Sequence, residues 1–131
     1  MRKDLVIIPS DAPGVLATLG ETLGAAGINI EAISAFTGQG KGIVHLLVDR
    51  AEDALPILSD AGIEVQAARD VVVVPLPDEP GQLGAACRKL ADAAINIEQA
   101  YIAAGSMLVV VCEDTARAAQ ILGVSGAAPS A

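Results

Sequence analysis

Asp11-Ala12-Pro13-Gly14-Val15-Leu16 leads to Gly27-Ile28-Asn29-Ile30-Glu31, and Asp78-Glu79-Pro80-Gly81-Gln82-Leu83 leads to Ala94-Ile95-Asn96-Ile97-Glu98. Pro13 and Pro80, Leu23 and Leu90, and Asn29 and Asn96 each stand 67 positions apart, so one gap-free register aligns both halves of the motif. A period near half of a 131-residue chain predicts two small units built on one plan. The expected boundary divides the chain into residues 1–69 and 70–131.

Within the first unit, Lys3 to Ile8 reads as a strand. Asp11-Ala12-Pro13-Gly14 reads as helix-start chemistry, with an acidic capping residue and a proline where a backbone donor would go unused. Val15, Leu16, Leu19 and Leu23 recur at helical spacing, and Gly27 is expected to close the helix in a left-handed conformation. A strand over Ile28–Phe36, a hairpin turn over Gly38–Gly42 and a strand over Ile43–Val48 follow. A second helix over Glu52–Ala61, with Pro56 expected in its first turn, and a strand over Ile63–Ala67 complete a βαββαβ order.

The second unit repeats this as Val71–Leu76, a helix over Pro80–Ala93, Ile95–Ala103, Met107–Cys112 and a helix over Thr115–Leu122. Gly123 to Ala131 is too rich in turn formers for a clear fourth strand, which is expected to be lost or irregular. Only Ala68-Arg69-Asp70 separates the units. Two such units predict an α+β protein: two ferredoxin-like βαββαβ units with antiparallel sheets and helices on one face. Val71-Val72-Val73-Val74 and Leu108-Val109-Val110-Val111 are apolar at both odd and even positions, which suggests sheets buried on both sides and a second chain as cover. High β-propensity of valine is the simpler alternative.

The formal charge of −8 argues against nucleic acid as a partner, and so do aromatic residues at 2% of the chain, because RNA-binding sheets stack bases on aromatic side chains. Hydrophobic residues make up 53%, yet no apolar run approaches the roughly 18–20 residues of a membrane span. Cys87 and Cys112 form neither a metal pair nor a disulfide framework, which fits a reduced, cytoplasmic setting. His45, the one histidine, stands in a strand rich in Ile, Val and Leu and is expected to be packed or hydrogen-bonded rather than catalytic. No nucleophile, metal-ligand spacing or cofactor motif is visible, so neither catalysis nor a cofactor is expected.

Candidate ligand contacts gather in the repeated residues, which the βαββαβ order is expected to bring close together. Backbone donors at Gly14, Val15 and Leu16, and at Gly81, Gln82 and Leu83, lie at helix starts that favour an anion. Asp11 and Asp78 offer acceptors for an ammonium group, and Asn29 and Asn96 offer donor and acceptor together. That combination suits a zwitterion such as a free amino acid. Each part alone is also ordinary turn and cap chemistry, and two copies at one spacing also follow from duplication of a fold-supporting ancestor.

Asp-Xaa-Pro-Gly-Xaa-Leu followed by a helix and Gly-Ile-Asn-Ile resembles the ACT domain, a small regulatory module that binds amino acids. The resemblance covers residues 5–65 and 71–122 and implies a stand-alone tandem ACT protein with ligands between paired domains. It places ligand contacts on Asp11, Ala12, Gly14, Val15, Leu16, Asn29 and Ile30, and on Asp78, Gly81, Gln82, Leu83, Asn96 and Ile97. The second chain expected over the apolar strands makes a homodimer the expected form, and a regulated enzyme or transcriptional regulator is a further expected partner. The alternative is an interaction subunit whose ligand site is vestigial. Ala94 departs from the pattern at the position of Gly27, so the first site is expected to be the stronger.

Overall fold

Leu5 and Ile7 on one side of the first strand, opposed by Val44, Leu46 and Val48 of a later one, form the floor on which the first unit is built. The computed structural model describes residues 2–124. The chain divides into two compact units, Met1–Arg69 and Asp70–Ala131. The first unit runs β1 (Lys3–Ile7), α1 (Val15–Ala25), β2 (Ile30–Gly38), β3 (Lys41–Val48), α2 (Ala51–Asp60) and β4 (Ala67–Arg69). Its sheet has the order β2-β3-β1-β4, antiparallel throughout. Leu19 and Leu23 of α1 and Leu58 of α2 pack on the Leu5–Val44–Leu46 side, so both helices cover one face. Each such fully buried leucine contributes about 1.5–3 kcal/mol.

The second unit runs β5 (Val72–Pro75), α3 (Gln82–Asp92), β6 (Gln99–Ala103), β7 (Met107–Val111) and α4 (Thr115–Leu122). Its strand order is β5-β7-β6, the counterpart of β1-β3-β2. Val72, Val74, Leu108 and Val110 face Leu90 of α3 and Ala118 and Ala119 of α4. The two units are therefore ferredoxin-like α+β structures with helices on one sheet face, as expected. Among the described residues the second sheet has three strands. The irregular ending expected from residue 123 onward falls mostly on residues 125–131, outside the described ones.

Several boundaries differ from the sequence reading. The first helix of each unit starts at Val15 and Gln82, not at the Asp and Pro before them. β2 and β6 begin at Ile30 and Gln99, because Ile28 and Ile95 are held back as hydrophobic caps of the preceding helices. β4 is Ala67–Arg69 rather than Ile63–Ala67. Ile63 and Val65 pack against the core while the backbone pairs with β1 only from Gln66 N–H to Val6 O onward. Ala68 and Arg69 thus belong to the sheet, leaving Asp70 and Val71 between the strands. Pro56 stands inside α2, not in its first turn. It is tolerated because Pro56 and Glu52, the residue four positions before it, are both exposed.

All four described helices end alike. Ile28, Ile63, Ile95 and Val124 N–H groups donate to the carbonyls of Leu23, Leu58, Leu90 and Ala119 at 2.8–2.9 Å, the Schellman pattern. The left-handed position is Gly27, Gly62 and Gly123 in three of them (φ 73, 78 and 74) and Ala94 (φ 59) in the fourth. Alanine there costs about 1–2 kcal/mol.

Candidate functional site

The segment between β1 and α1 is stitched to the tip of the β2–β3 hairpin. Gly42 N–H donates to Pro9 O at 2.8 Å, Asp11 N–H donates to Gly40 O at 3.1 Å, and Ser10 bridges to Lys41. Gln39 and Gly40 form the hairpin's two-residue turn with φ 55 and 77, both left-handed, as a type I′ turn requires. These long-range bonds hold Asp11 off the helix, so it is not the capping residue. The N-cap is Gly14 at φ 87, with no side-chain cap bond. Consequently the N–H groups of the first turn, which have no intrahelical acceptor, open outward unscreened. Gly14 is required there for its positive φ.

These donors border a groove of about 530 Å³. Five of the expected contacts line it: Asp11, Ala12, Gly14, Val15 and Leu16. Sequence reasoning missed the opposite wall, Ala35 to Thr37 of β2, and the floor, Gly42 and Val44 of β3. Ala35 pairs with Val44, which lies in the helix-side core, so its side chain points into the groove. Nothing local in the sequence marks these residues; their place follows from the hairpin register. A second groove of about 470 Å³ lies across the same segment, between α1 and residues 62–66.

Asn29 and Ile30 lie elsewhere. Ile30 pairs with Val48, which pairs with Lys3, whereas Ala35 pairs with Val44, which pairs with Ile7. The start of β2 and the β1–α1 segment are therefore at opposite ends of the sheet, separated by five residues of strand or roughly 17 Å. This corrects the expectation that one unit brings both halves of the motif together. At the Asn29 end, Arg2 makes a paired contact with Glu31, Nε to Oε1 at 2.7 Å and Nη2 to Oε2 at 3.1 Å. That hydrogen bonding raises the Arg2 pKa above its ordinary value. Arg50 donates to Gly27 O at 2.7 Å, and Asp49 keeps a buried Oδ1 with no hydrogen-bond partner among the described residues.

The second unit has the same division with different chemistry. Gly81 caps α3 at φ 87, again without a side-chain cap bond, but Gln82 N–H donates inward to Glu79 O at 3.3 Å. Ile102, paired with Leu108, takes the place that Ala35 holds opposite Val44. A larger side chain thus stands where the first unit leaves room. At the other end, Asn96 lines a groove of about 700 Å³ with Glu98, Asp114 and Arg117, while Ile97 packs against the core. Asp114 accepts from Arg117 N–H at 3.0 Å and is the one side-chain helix cap among the four described helices.

His45 Nδ1 lies 2.9 Å from Asp4 Oδ2, on the sheet face opposite the groove, with Asp4 1% exposed. Among the described residues no group of three His, Cys, Asp or Glu is placed to hold a metal, and no helix is long and apolar enough to cross a membrane.

The family model for an ACT domain pair matches residues 2–126. Three solved structures are similar over nearly the whole chain. Protein BT0572 from Bacteroides thetaiotaomicron is 26% identical, with a TM-score of 0.78, covering 92% of this chain and 85% of that one. The regulatory subunit of aspartate kinase from Thermus thermophilus, in a ligand-free form, is 23% identical, with a TM-score of 0.68 and coverage of 93% and 87%. Its counterpart from Thermus flavus is also 23% identical, with a TM-score of 0.63 and the same coverage of 93% and 87%. No curated protein gives a significant match.

Proposed function

This chain belongs to the ACT domain pair family, and on that premise we propose that it is a non-catalytic regulatory protein that binds a free amino acid where two copies meet. The observation that carries the reading is the uncapped start of α1, with Gly14 at φ 87 and Asp11 beside it on one groove. An α-carboxylate accepts from the first-turn N–H groups, where the helix dipole adds about 0.3–1 kcal/mol. Asp11 takes the α-ammonium.

One ligand cannot span the roughly 17 Å from this turn to Asn29 of the same unit. A second copy resolves the difficulty. β2 is an edge strand of nine residues with Ile33 half exposed at its middle. Antiparallel pairing of two β2 strands about Ile33 sets Asn29 of one copy across from Thr37 of the other, and Thr37 lines the groove. Both halves of the repeated motif then surround one ligand. The functional units in this reading are residues 1–69 and 70–131, with the site of the first unit dominant. Asp78, Gly81, Gln82, Leu83, Asn96 and Ile97 serve a reduced second site, because the larger, half-exposed Ile102 stands at the position of Ala35 and Gln82 N–H is already bonded.

The shared fold with aspartate kinase regulatory subunits supports a role in controlling an enzyme or a transcriptional regulator. Free thiols at Cys87 and Cys112 fit a reducing cytoplasm. Thermal unfolding in the presence of each of the twenty amino acids tests the proposal. A ligand at about 100 times its dissociation constant adds roughly 2.7 kcal/mol of stability. No shift with any amino acid leaves the interaction-subunit alternative, and Asn29→Ala is expected to weaken binding without changing the ligand-free transition.

A further inference from the structure

We propose that the first unit's groove selects an amino acid with an uncharged, apolar side chain, an inference that rests on the amino-acid site proposed above. Asp11 is the one titratable residue lining the groove, and the α-ammonium occupies it. Most of the other lining residues are apolar, Ala12, Val15, Leu16, Ala17, Ala35 and Val44 among them. Apart from Asp11, only Ser10 and Thr37 bring polar side chains. A lysine or arginine side chain entering this space competes with the α-ammonium for one carboxylate. An aspartate or glutamate side chain meets no cation and repels Asp11. Either loses hydration without a compensating partner, whereas an aliphatic or aromatic side chain gains by leaving water. The charged pair at the opposite end of the sheet does not alter this, because Arg2 and Glu31 are closed on each other.

Ala35 sets the room available. Its side chain points into the groove from the β2 wall, and the corresponding residue of the second unit is Ile102. The same backbone position therefore carries a small side chain in one unit and a larger one in the other.

Calorimetric titration of the full chain with leucine, isoleucine, valine, methionine and phenylalanine, against lysine, arginine, aspartate and glutamate, tests the selectivity. The best apolar amino acid is expected to bind at least about tenfold more tightly than any charged one. Equal or tighter binding of a charged amino acid overturns this inference while leaving the sensor reading intact. Binding of none of the nine, with a neutral polar amino acid bound instead, also overturns it. Binding of none of the twenty removes both. Ala35→Val and Ala35→Ile place β-branched side chains on a strand, where such side chains are favoured, so the ligand-free transition should hold. Affinity for the apolar ligand should fall stepwise through the pair, and unchanged affinity in both variants refutes the placement.

Discussion

Ala94 is a residue whose local conformation and side chain disagree. It closes α3 at φ 59 through the same bonds that Gly27 makes at the end of α1. Ala94→Gly should therefore raise the unfolding free energy by about 1 kcal/mol in a urea titration, and a decrease would mean that the methyl group has a role in packing. Asp114→Ala should cost about 1 kcal/mol by removing the bond from Arg117 N–H. The left-handed Ala94 was legible because the repeat put it in register with a glycine. The role of Gly14 was not. Asp11 and Pro13 have local cap chemistry, but the bonds from Gly42 to Pro9 and from Asp11 to Gly40 pull them toward the hairpin, and such bonds leave no local trace in sequence.

At the scale of elements, helix faces and the strand sequence were readable from periodicity, because Leu19, Leu23, Leu58 and Leu90 had to find one apolar face of a sheet. Register was not, since it depends on which residues meet across strands. The sequence alone therefore does not separate the two halves of the motif and carries no mark of the Ala35 and Val44 side of the groove. Register also carries the dimer proposal. Ile33→Lys puts two like charges next to each other at the centre of a β2–β2 pairing. Sedimentation at micromolar concentration should show a dimer for the parent chain and a monomer for the variant. A parent chain that sediments as a monomer contradicts the proposed pairing.

For the whole molecule, two units share one backbone plan and differ at their helix starts. The first has a groove over an uncapped helix start; the second has Ile102 at the position of Ala35 and bonds Gln82 N–H to Glu79 O. Binding should accordingly saturate at one amino acid per chain. If the free donors opening α1 receive the carboxylate of an amino acid, the backbone amide resonances of the isotope-labelled full chain should report it as each of the twenty amino acids is added. One class of amino acid should move the amides of Val15, Leu16 and Ala17, with Gln82 and Leu83 little affected. Binding that leaves the first turn of α1 unmoved and shifts another surface would rule out that carboxylate site.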